Sequence, residues 1–157
     1  MLDDIPLHNA AVCGNVEDAV LWIRHGAVVN APDNVGATPL HKAVVCGNIK
    51  VADLLIRNGA VVNAPDTINA TPLHKAAAQG NVVVADLLIR NGAVVNAPDH
   101  VGATPLHNAA KRGNVGVTDL LIRNKADVNA PDNDVTVKYS SSQSSEKFEH
   151  RSHMQIY

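Results

Sequence analysis

The tripeptide Pro-Leu-His recurs at Pro6, Pro39, Pro72 and Pro105, once every 33 residues. Asn-Ala-Pro-Asp keeps the same beat, at Asn30, Asn63, Asn96 and Asn129. Laid on residues 72–104, residues 39–71 differ at only eight of 33 positions. A period of this length marks a solenoid, whose units cannot bury their apolar faces alone and must stack. Composition agrees. Apolar residues make up 46% of the 157 residues, yet the only aromatics are Trp22, Tyr139, Phe148 and Tyr157. A core of Ala, Val, Leu and Ile suits thin, closely stacked layers.

Each unit reads as helix, turn, helix, loop. Thr38 is placed to cap a helix, because its hydroxyl can accept a bond from an orphan amide. Pro39 follows at the first helical position, where its missing N–H costs nothing. Leu40, Ala43 and Val44 share one face, and Gly47 ends the helix in a left-handed turn. A second helix buries Ile49, Ala52, Leu55 and Ile56 and stops at Gly59. Asn63-Ala64-Pro65-Asp66 then opens a turn-rich connection. Neither helix is long enough to stand alone.

The pattern resembles the ankyrin repeat. The matching residues are Thr38-Pro39-Leu40-His41, Gly47 and Gly59-Ala60 in one unit. In the next they are Thr71-Pro72-Leu73-His74, Ala76-Ala77, Gly80 and Gly92-Ala93. The resemblance implies an all-α repeat solenoid of stacked antiparallel helix pairs joined by β-hairpin or loop fingers. It implies binding of another protein on the concave face and finger tips. The repeats fall at about 4–33, 37–66, 70–99 and 103–132, giving one domain over residues 1–132.

The ends depart from the pattern. Ile5 replaces the threonine, leaving Asp3 or Asp4 as caps, and Lys125 replaces the glycine of Gly26, Gly59 and Gly92. A lysine in a left-handed turn costs about 1 kcal/mol. Gly116 and Thr118 weaken the last helix. From residue 133 to 157 a disordered tail without an evolved site is expected. Ser140–Ser145 reads as a low-complexity linker. Alternatively, codons for Tyr139–Ser145 can be chosen that spell Thr-Pro-Leu-His-Lys-Ala-Ala one base on, making the tail a frame-shifted fifth repeat.

Other chemistry finds little support. A formal charge of −2 gives no argument for nucleic acid, an anionic membrane or a strongly acidic partner, and neither nucleic acid nor membrane is expected. No apolar run approaches the roughly 18 residues of a membrane span. The N-terminus lacks a secretory pattern, and two cysteines make no disulfide framework. An intracellular, cytoplasmic protein is expected. His8, His41, His74 and His107 lie one per repeat, too far apart to share a zinc whose ligands sit about 2 Å from it. The resemblance gives them a structural role, bonding the threonine and backbone. Cys13 and Cys46 are read as free thiols without a catalytic base. No phosphate loop, acid pair or nucleophile elbow occurs, so neither cofactor, metal nor enzyme activity is expected.

Positions that vary between such similar repeats are the candidate partner-binding residues. On the first helices these are Val12 and Cys13, Val45 and Cys46, Ala78 and Gln79, and Lys111 and Arg112. The row runs from apolar to cationic, flanked by Lys42 and Lys75. On the fingers they are Asn34 and Val35, Thr67 and Ile68, and His100 and Val101. Val28, Val61 and Val94 form a further apolar stripe, read as contact between neighbouring repeats, with a self-association surface as the alternative. The expected function is a monomeric protein–protein interaction scaffold. The alternatives are a host-directed effector of an intracellular microbe and a truncated, non-functional remnant of a longer array.

Overall fold

A computed structural model describes residues 5–132. The expected tail, its reading as a fifth repeat, and the capping role of Asp3 and Asp4 lie outside the described residues. Eight helices follow in pairs: α1 (Ile5–Cys13) with α2 (Val16–Arg24), and α3 (Pro39–Val45) with α4 (Ile49–Arg57). Next come α5 (Pro72–Gln79) with α6 (Val82–Arg90), and α7 (Pro105–Lys111) with α8 (Val115–Arg123). The first helices pack in one row, α1 on α3 on α5 on α7, and the second helices in another. Each helix is only seven to nine residues long, so its stability comes from its neighbours.

The apolar period explains the packing. Leu7, Leu40, Leu73 and Leu106 occupy equivalent places, and each is fully buried. Leu55, Leu88 and Leu121 do the same on the second helices. Small Ala43, Ala76 and Ala109, all buried, let adjacent layers approach closely. Gly14, Gly47, Gly80 and Gly113 turn the chain between paired helices at φ +70 to +74°, where glycine meets no Cβ penalty. Lys125 does take the left-handed turn, at φ +68°. Despite Gly116 and Thr118, α8 has the same nine residues as α4 and α6.

The fingers form as loops rather than hairpins, with no strand among the described residues. Each loop closes on its own aspartate. The Asp33 carboxylate accepts from the Val35 and Ala37 amides, both at 2.9 Å. Neighbouring loops share few backbone bonds: Thr67 N–H donates to the Val35 carbonyl (3.1 Å) and His100 N–H to that of Ile68 (2.9 Å). One such bond per junction is too few for a ladder. No helix among the described residues is long and apolar enough to cross a membrane.

Candidate functional site

Three side-chain ladders hold the surface that the variable positions line. The first is the histidine row. Thr38 N–H donates to His41 Nδ1 at 3.1 Å, and an amide can only donate, so Nδ1 accepts and the proton sits on Nε2. That Nε2–H donates to the Ala70 carbonyl of the next repeat at 3.2 Å. His74 repeats the arrangement, from the Thr71 amide (3.1 Å) to the Ala103 carbonyl (2.9 Å). His8 Nε2 meets the Ala37 carbonyl at 3.0 Å. The histidines therefore join repeats, as the resemblance implied. Burial pushes the His41 and His74 imidazoles below the ordinary value, which keeps them neutral for this role.

The second ladder is Asn30, Asn63 and Asn96, which open the Asn-Ala-Pro-Asp stretch of each repeat. Asn30 donates to the Gly59 carbonyl (3.0 Å) and accepts from the Val61 amide (2.8 Å), so it too bridges repeats. The third escaped the sequence reading. Asn48 reaches back to the Ala11 and Val12 carbonyls (2.7 and 2.9 Å), and Asn114 to those of Ala77 and Ala78 (2.7 and 3.1 Å). The signal was present, since Gly-Asn recurs at Gly14, Gly47, Gly80 and Gly113. It reads as an ordinary turn until the preceding repeat is in place.

Upon this frame the first-helix candidates fall on one edge. Val12 and Cys13 end α1, Val45 and Cys46 end α3, Ala78 and Gln79 end α5, and Lys111 and Arg112 end α7. All are exposed except half-buried Ala78. Cys13 and Cys46 are free thiols. The finger candidates Asn34, Val35, Thr67, Ile68, His100 and Val101 are also exposed. Thr67 and His100 additionally link fingers, the Thr67 hydroxyl donating to the Val35 carbonyl at 3.0 Å.

Lys42 and Lys75 are placed differently. Lys42 pairs with Asp33 at 2.7 Å and Lys75 with Asp66 at 2.9 Å, fastening each helix to its finger. Burial raises both carboxyls, but the lysine and two amides outweigh it, drawing Asp33 down to about 2 and Asp66 in the same direction. The equivalent lysine is Asn108 in the fourth repeat, and Asp99 has no ion pair there among the described residues. Val28, Val61 and Val94 are corrected: they are 59%, 52% and 51% exposed, so their side chains stand in solvent rather than between repeats.

At the C-terminal end a pocket of about 130 Å³ opens beside His107, Asn108, Asp99 and Asp132. Among the described residues no acceptor lies within good hydrogen-bonding geometry of the buried His107 Nε2, whose nearest carboxylate is Asp132 Oδ2 at 3.8 Å. Burial lowers its pKa, against the Asp132 carboxylate and the Ala130 backbone. Among the described residues no group of three or more His, Cys, Asp or Glu could hold a metal.

A family model described as ankyrin repeats (3 copies) matches residues 2–66 and again residues 65–132. The comparison with curated proteins gives no match.

Proposed function

The chain belongs to the ankyrin-repeat family, and on that premise we propose that it is a scaffold recognising another protein along the edge formed by its first helices and fingers. Ankyrin repeats generally serve protein–protein interaction, and the family is typically non-enzymatic. One observation carries the finer reading: exposed, variable side chains recur once per repeat on one side of a frame tied by three ladders. Such a surface is preformed, so little ordering entropy opposes binding.

The chemistry of the row selects the partner. Val12, Cys13, Val45 and Cys46 offer an apolar stretch, while Lys111 and Arg112 offer positive charge at the other end. A segment with an apolar patch and an acidic end matches it. Lys42 and Lys75, paired within the molecule, position the fingers rather than reach for a ligand. The protein acts in this reading inside a cell, without cofactor or turnover.

The test compares proteins retained from lysate by the wild type and by a Lys111→Glu/Arg112→Glu variant. The charge reversal is expected to weaken binding about tenfold while the circular dichroism remains that of the folded wild type. An unaltered affinity for the retained partner rejects this surface. A second reading, a remnant of a longer array, is favoured by Val137-Lys138-Tyr139-Ser140 standing where Thr-Pro-Leu-His is due. The nucleotide sequence decides it, by presence or absence of that motif in the shifted frame.

A further inference from the structure

Exposed apolar side chains occur along the whole stack, and one row of them differs from the rest. Val28, Val61 and Val94 each stand four residues past the end of a second helix, and each is more than half exposed. They share one backbone turn, their carbonyls accepting from the Ala31, Ala64 and Ala97 amides at 3.2, 3.2 and 3.4 Å. The Val61 and Val94 amides are held in turn by Asn30 and Asn63 of the preceding repeats, both at 2.8 Å. Valine is β-branched and restricted at χ1, so the row is fixed in backbone and side chain, with a pitch set by the stack.

The fourth repeat keeps this turn and changes its chemistry. Asp127 takes the place of the valine, its amide held by Asn96 at 2.8 Å and its carbonyl accepting from Ala130 at 3.3 Å. Its side chain is exposed and makes no ion pair among the described residues. The first repeat carries the opposite departure. Arg57, Arg90 and Arg123 end their helices paired with Asp53, Asp86 and Asp119 one turn earlier, at 2.9, 2.7 and 3.0 Å. Arg24 ends α2 in the same register, but Val20 stands where the aspartate is due, and the exposed Arg24 has no ion pair among the described residues. The row therefore begins beside an uncompensated cation, runs through three valines and ends on a carboxylate.

Such a row is complementary to itself when turned round. A two-fold axis between the second and third repeats sets Val61 against Val94 of a second copy, and Arg24 and Val28 against the second copy's Asp127. The spacing agrees without adjustment, because both rows are built by the same stack. Other exposed rows lack this property. The first-helix row ends in Lys111 and Arg112 with no acid among Val12, Cys13, Val45 and Cys46 to meet them, and the finger row of Val35, Ile68 and Val101 carries no charge to set a direction.

We propose that Val28, Val61 and Val94 form a dimer face, on which two copies lie side by side and antiparallel with Arg24 of each paired to Asp127 of the other. Lys125, exposed two residues from Asp127, tempers that attraction, so burial of the valines supplies the affinity and the charges fix direction and register. The same patch is used on both copies, and its two-fold symmetry closes the assembly at a dimer. The dimer replaces the monomer expected from the sequence. It uses none of the residues assigned to partner recognition, so its failure leaves that reading untouched.

Sedimentation velocity on the full chain tests this. The wild type should pass from monomer to dimer as concentration rises and go no further. Asp127 shows that the turn accepts an aspartate, so Val61→Asp/Val94→Asp should keep the wild-type circular dichroism and remain monomeric. Arg24→Asp and Asp127→Arg should each dimerise about tenfold more weakly, because like charges then meet at both ends of the face. Mixed one to one, these two should form a heterodimer tighter than either alone, since every position 24 again faces an opposite charge at position 127. A wild type that stays monomeric at its highest soluble concentration overturns the proposal, as does growth beyond a dimer. Undiminished dimerisation of the folded double-aspartate variant, or a mixture no tighter than its components, also overturns it.

Discussion

Lys125 shows how a single side chain sets local stability. Its backbone sits at φ +68°, the left-handed region taken at φ +89 to +92° by Gly26, Gly59 and Gly92. Its carbonyl is still held by Asn96 at 3.2 Å, so the strain persists because the register requires the turn. Lys125→Gly should therefore stabilise the protein by about 1 kcal/mol, a rise of a few degrees in a thermal melt. Asn63 works in the other direction. It both donates to Gly92 (3.0 Å) and accepts from Val94 (2.8 Å). Asn63→Ala should cost about 1–2 kcal/mol in urea unfolding, because water can reach the exposed groups left behind. The exposed Arg57–Asp53 pair, at 2.9 Å, contributes no more than about 0.5 kcal/mol, as helix-surface pairs do.

Among the elements, the first helices are held by neutral imidazoles at their N-terminal turns. Burial lowers the folded pKa of His41, His74 and His107, so the unfolded chain binds protons more readily. Their stabilising contribution is complete above the unfolded value near 6.5 and is lost as pH falls below it. Each histidine removes up to about 1.4 kcal/mol per pH unit in that window. The urea midpoint should fall between pH 7 and 5, and a flat profile would contradict neutral, buried rings. Asp33, drawn to about 2, and Asp66, shifted likewise, act later. Their contribution is present above the unfolded carboxylate value and disappears as pH drops towards 2. Acid should loosen the helix junctions before the fingers.

At the scale of the whole molecule, stability is a sum over repeats and the junctions between them. Leu73 lies in an interior repeat and is fully buried, with Leu40 and Leu106 at equivalent places on either side. Leu73→Ala should cost about 2–5 kcal/mol through lost burial and the cavity left behind, read as a lower urea midpoint. The loss should spread to both neighbouring junctions, because α5 packs on α3 and on α7.

The 33-residue beat was enough to establish the stacked helix pairs, because each short helix has an apolar face that only a neighbour can cover. Threonine caps, proline starts and glycine stops are decided by local backbone chemistry, and they too were legible. Relations between repeats were not. Nothing in the local sequence separates Asn48 reaching back to the preceding repeat from an ordinary turn asparagine. Neither could it tell that Lys42 and Lys75 hold fingers, or that Val28, Val61 and Val94 point to solvent. These depend on which atoms lie across a junction, and that distance exists only once the layers are stacked.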